Sequence, residues 1–158
     1  FIEEVAKKYY SVSDILFLGR GVDYPIAMEA ALKLKEISYI HAEGYAGGEL
    51  KHGPIALVDE TLPIVAIVSN IEPHRQKMIA NIEEVCARGG RVIGVGSAED
   101  KALKSLSADF IPCPQVDDEI LQAFINVLPL QLFAYYVACH RGTDVDQPRN
   151  LAKSVTVE

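Results

Sequence analysis

Residues 14–25 read DILFLGRGVDYP, and the fold turns on how that stretch is parsed. Ile15, Leu16, Phe17 and Leu18 run without a polar break and stop at Gly19 and Gly21. An apolar run closed by glycines is how a strand buried on both faces ends in a loop. Pro25 follows at the expected first position of a helix. The segment PIAMEAALKLKEISYIH (25–41) then carries Ile26, Ala30, Leu34 and Ile37 at helical spacing, about four turns in all.

The same alternation continues in both directions. AEGYAGGELKHGP (42–54) is dense in Gly and small residues and is expected to be a loop or a short helical turn between Gly44 and Pro54. LPIVAIVS (62–69) reads as a second buried strand. PHRQKMIANIEEVCARGG (73–90) reads as a helix with Met78, Ile82, Val85 and Cys86 on one side, stopped by Gly89 and Gly90. RVIGVG (91–96) and ADFIPCP (108–114) supply third and fourth strands. The longest periodic segment, EILQAFINVLPLQLFAYYVACHRG (119–142), places Leu121, Ile125, Leu128, Leu132, Tyr136 and Cys139 in register, and Pro129 is expected to kink it. Upstream, FIEEVAKKYY is amphipathic through Ile2, Val5 and Tyr9 and lacks an initiator Met, which suggests a piece of a longer protein. Continuously apolar strands alternating with helices predict an α/β fold: a parallel sheet covered on both faces, in a three-layer α/β/α sandwich. Ligands of such sheets bind beyond the carboxyl ends of the strands, so Gly19 to Gly21 and Ser69 to Asn70 mark the rim to search.

At 158 residues, 49% hydrophobic and 23% charged, the chain suits one domain with a real core. A net charge of -7 argues against a nucleic-acid surface. No run approaches the length of a membrane span and no signal-peptide pattern opens the chain, so no membrane partner and a cytoplasmic setting are expected. Cys86, Cys113 and Cys139 lie far apart in apolar stretches and are expected to pack in the core. The glycines of GRG (19–21) lack the spacing of a dinucleotide loop and a Walker lysine, and no metal ligands occur at a known spacing.

Glu29, Lys33 and Glu36 fall three and four apart on the first long helix, which by itself is the pattern of a solvated ion-pair ladder. Lys51 and His52 by themselves read as exposed loop polars, and His41, His74 and His140 as polar residues at helix ends. The set acquires a chemical meaning if the ligand is a sugar phosphate. A carboxylate can move a proton between C1 and C2, an ammonium can stabilise the enolate-like intermediate, and a His suits ring opening. A lysine amine can form a Schiff base with the open-chain carbonyl.

Two stretches, ALKLKEISYIHAEGYAGGELKHGP (31–54) and GTDVDQPRNLAKSVTVE (142–158), closely resemble the carboxyl-terminal half of the isomerase region in the glucosamine-6-phosphate synthase family, the isomerizing glutamine:fructose-6-phosphate aminotransferases. The resemblance implies a sugar isomerase (SIS) domain with a flavodoxin-like sheet over residues 1–142, the second of a tandem pair, and an irregular tail over 143–158 that folds back as a lid. It implies roles as well. Lys153 forms the Schiff base with fructose 6-phosphate, Glu36 shuttles the proton, Lys33 assists it, His52 opens the ring across a homodimer interface, and Ala152 touches the substrate through its backbone. Ammonia would come from a glutaminase domain absent from these residues, and no metal or organic cofactor is expected, because the substrate's own carbonyl would be the electron sink. The loop SNIEPH (69–74) lacks the Ser/Thr-rich phosphate grip of the preceding SIS half, so little turnover is expected of this chain alone. Two alternatives are an SIS-type deaminase or isomerase of sugar phosphates, which should lack the tail, and a phosphosugar-sensing module.

Overall fold

A computed structural model describes residues 1–149 of the chain. Five strands, β1 (Asp14–Gly19), β2 (His41–Ala46), β3 (Pro63–Val68), β4 (Arg91–Gly96) and β5 (Asp109–Pro112), form one parallel sheet in the order β2-β1-β3-β4-β5. Alternate residues of each central strand enter opposite cores, as the two-residue period of a strand requires. Ile15, Phe17, Val65, Ile67, Ile93 and Val95 face α1 (Ile2–Tyr9), α2 (Asp23–Ser38) and α5 (Glu119–Arg141). Leu16, Leu18, Ile64, Ala66, Val68 and Val92 face α3 (His74–Cys86), α4 (Lys101–Leu106) and two 3-10 turns, Gly47–His52 and Pro54–Leu57. The expected three-layer sandwich is therefore present.

Local differences from the sequence reading have physical causes. Residues 41–46, which span the end of the segment expected to be helix and the start of the one expected to be loop, form edge strand β2 and pair with β1 from Asp14↔His41 to Gly19↔Ala46. HAEGYA has neither a β-branched residue nor an apolar run, and its pairing to β1 carries it. Gly44 lets α2 approach closely, since a Cβ there would come within 2.6 Å of the Met28 backbone N. Helix α2 starts at Asp23, two residues before Pro25, which is tolerated in the first turn because no N–H is needed there. It ends at Tyr39, whose φ of 61° is left-handed and whose N–H donates to the Lys35 carbonyl. Short α4 had no periodic signal; Asp100 caps it by accepting from the Leu103 N–H, and Arg75 holds Asp100 in turn.

The largest correction concerns α5. Its buried face is Gln122, Asn126, Pro129, Leu130, Phe133, Ala134, Val137 and Ala138. Most of the stripe read from the sequence faces outward: Leu121, Leu128, Leu132 and Cys139 are exposed, together with Ile120, Phe124 and Tyr135. The helix has two apolar sides, and periodicity alone does not say which one the sheet takes. Pro129, expected to kink it, lies inside the continuous helix, buried on its inner face. By length and apolar composition α5 could cross a bilayer, but here Leu130, Phe133 and Val137 pack with α1 and α2 on the sheet. Arg141 Nη1 donates to the Tyr10 carbonyl, and Lys8 and the Tyr9 hydroxyl both donate to Asp109, fastening α1 to its neighbours. The core-packing reading holds for buried Cys113, whose thiol burial pushes up to about 11; Cys86 is half-buried and Cys139 exposed.

Candidate active site

Helix α2 brings Glu29, Lys33 and Glu36 together on its side toward α5, where Glu29 and Lys33 line a small cleft with Val127 and Gln131. Lys33 Nζ donates to Glu36 Oε2 at 2.9 Å and lies 3.7 Å from Glu29 Oε1. The hydrogen bond to Glu36, with the negative charge of Glu36 and Glu29, raises the Lys33 ammonium above its ordinary value against a partial burial that would lower it. Lys33 is therefore a cation at neutral pH, poised beside a carboxylate that is 27% exposed. Such a pair can hold an anionic intermediate while the carboxylate exchanges a proton.

His52 ends the first 3-10 turn, which is fixed from three sides. Leu50 is fully buried, Lys51 Nζ pairs with Glu84 Oε1 of α3 at 2.7 Å, and Arg20 crosses Gly47 and Gly48 to donate to Asn81 Oδ1 at 2.8 Å. The His52 ring is exposed, with Nδ1 2.7 Å from Glu49 Oε2, so Nε2 is the nitrogen offered outward. Lys33 and Glu36 stand on one face of the sheet and His52 on the other, so this chain does not bring them into one site. Lys153 and Ala152 lie outside the described residues, which include only 143–149 of the expected lid; there Thr143 Oγ1 donates to the Ile37 carbonyl at 2.7 Å and the Arg149 N–H donates to the Tyr39 hydroxyl at 3.0 Å. Among the described residues no cluster of three or more His, Cys, Asp or Glu is placed to hold a metal ion.

The rim marked by Gly19 to Gly21 and Ser69 to Asn70 does lie at the point where the strand order reverses, between β1 and β3. A buried polar network that the sequence reading missed occupies it. Asp23, 4% exposed, accepts from the Ser69 N–H at 2.9 Å, the Ser69 hydroxyl at 2.7 Å and Asn126 Nδ2 at 2.8 Å. Asn126 Oδ1 accepts in turn from Gln122 Nε2 at 2.8 Å and Cys113 Sγ at 3.2 Å. Burial raises the Asp23 carboxyl, opposed by the donors of Ser69 and Asn126. Gln122 and Asn126 are amides one turn apart within the apolar run from Ile120 to Leu130, the one sequence signal that could have found this network.

A five-stranded parallel sheet of this order is a flavodoxin-like, doubly wound frame, and here the helix after its first strand carries an ammonium beside a carboxylate. The sequence matches the SIS domain family over residues 8–141, and the chain belongs to that family. More particularly, it is 56% identical over 157 residues to the glutamine–fructose-6-phosphate aminotransferase (isomerizing) of Aquifex aeolicus, covering 99% of this chain and 26% of that protein. The Methanothermobacter thermautotrophicus protein of the same name is 55% identical over 158 residues, again with 26% of its length covered. The chain thus spans about a quarter of the curated relatives it matches. The solved C-terminal domain of glucosamine-fructose-6-phosphate aminotransferase from Francisella tularensis superimposes with a TM-score of 0.83 at 46% identity, over 92% of this chain and 41% of that one.

Proposed function

We propose that this chain is the second SIS domain of an isomerizing glutamine:fructose-6-phosphate aminotransferase and supplies the groups that turn the ketose into the aldose. The observation that carries the reading is the Lys33–Glu36 pair, 2.9 Å apart, in a chain so similar to those enzymes along its whole length. In this reaction the Lys153 amine condenses with C2 of open-chain fructose 6-phosphate, releasing water. Ammonia then adds at C2 and displaces the lysine. Glu36 takes a proton from C1 and returns it to C2, the Lys33 ammonium neutralising the charge that builds between the two steps. The products are glucosamine 6-phosphate and, where the ammonia is liberated from glutamine, glutamate.

The sheet standing between His52 and Glu36 supports a homodimer in which His52 opens the sugar ring of the neighbouring subunit's site. The outward apolar stripe of α5, Phe124, Leu128 and Leu132 among it, supports a further domain of the same polypeptide packed upon it. In the full-length protein, Glu36→Gln is expected to lower glucosamine 6-phosphate formation by about two to four orders of magnitude. It should leave intact the borohydride-trapped adduct of fructose 6-phosphate at Lys153. A trapped adduct on a different lysine, or near-normal turnover of the variant, would sink the reading.

A further inference from the structure

The crevice between β1 and β3 has the chemistry of an oxyanion site: a serine hydroxyl, a backbone N–H and a side-chain amide converge at the start of α2. Donor sets of this kind take up phosphate or carboxylate oxygens in open α/β sheets. Here they all point at Asp23. Both oxygens of its carboxylate are engaged, Oδ2 by the Ser69 N–H and Oδ1 by the Ser69 hydroxyl and Asn126. The next donor along the rim is spent too, since the Asn70 N–H donates to Gln115 Oε1 at 2.9 Å. Across the mouth, the His74 ring lies so close to Gly21 that a Cβ there would stand 2.4 Å from Nδ1, at a backbone φ of +57°.

Asp23 has no ion-pair partner among the described residues. A buried carboxylate without an ion pair is costly, so the donors and the helix start are what hold it, with the charge of His74 the smallest of the contributions in its favour. We propose that the Asp23 carboxylate is a built-in oxyanion that fills this crevice and keeps phosphorylated ligands out of it. The domain retains the anion-binding frame of its fold but has satisfied it internally. Its sugar-phosphate chemistry is thereby confined to the side of α2 toward α5, where Lys33 and Glu36 stand, and any phosphate must be gripped from elsewhere. The inference concerns only the anion affinity of the crevice and does not depend on the amino-sugar reaction.

The test compares the 158-residue chain with its Asp23→Ala variant in sodium phosphate, formate or chloride at matched ionic strength, by thermal melting and by 1H–15N shifts of the Ser69 and Asn70 amides. In the parent chain those amides are expected to stay put in phosphate. The variant should melt lower in chloride and recover roughly 5 °C more than the parent gains when phosphate or formate replaces it, as ligand linkage requires. Its Ser69 amide should shift saturably. The parent chain in each salt removes the general salting effect of these ions. Should the variant be unfolded in chloride, the expected result becomes refolding by the added oxyanion. Saturable phosphate shifts at Ser69 or Asn70 of the parent chain would overturn the proposal. So would a variant that responds to oxyanions no more than the parent does, or that they fail to refold.

Discussion

At Asp100 burial and hydrogen bonding pull in opposite directions. Burial alone would raise its carboxyl, but the paired hydrogen bonds from Arg75 Nε and Nη2, each 2.8 Å, outweigh it and hold the group below its ordinary 3.8. A carboxyl lowered by folding adds stability that is present above the ordinary value and is lost as pH falls through the folded one. Arg75→Met should therefore cost roughly 1–3 kcal/mol at pH 7, and the gap from the parent chain should narrow at pH 3. Urea melts at the two pH values measure it, and a gap of unchanged size would contradict the assignment. The pair itself was invisible in the sequence, since 25 residues separate its members and no local pattern links them. Lys33 and Glu36 were legible for the opposite reason: three residues apart on one helix, their contact follows from helical geometry. Asp23 falls between these cases. Its place at the mouth of the first turn could be read, but its partners Ser69 and Asn126 come from distant segments.

Helices and strands were legible where one face alone is apolar or where both faces are buried. β1, β3 and β4 were found because their residues are apolar throughout. β2 was missed because an edge strand with Gly44 at its centre has neither signal. α5 shows a subtler limit, in that a helix with two apolar sides has one period and two candidate cores. The buried side can be told from the outer one by substitution. Phe133→Ala should cost about 3–5 kcal/mol of stability, while Leu128→Ala, 61% exposed, should stay within about 0.5 kcal/mol in this chain. Equal costs in a chemical denaturation series would mean that the helix is turned the other way. If a further domain packs on the outer stripe, as proposed above, the same Leu128 truncation should cost more in the longer protein than in this chain.

The layered architecture and parallel sheet follow from the alternation of elements, but strand order and the separation of His52 from Glu36 do not. Both depend on which face each crossover takes, and a linear pattern of apolar residues carries no record of that. If His52 acts across the dimer, mixing full-length subunits carrying His52→Asn with subunits carrying Glu36→Gln should restore roughly a quarter of normal activity. Half of the dimers are then mixed, and one of their two sites is whole. Action within one subunit restores nothing, so the assay separates the two arrangements. The contact between α1 and α5 bears on how the molecule is made. Within this domain Val5, Ala6 and Tyr9 are synthesised long before Leu130, Phe133 and Val137, with which they share a core. At the usual pace of translation that interval is on the order of ten seconds, during which the opening helix has no seat.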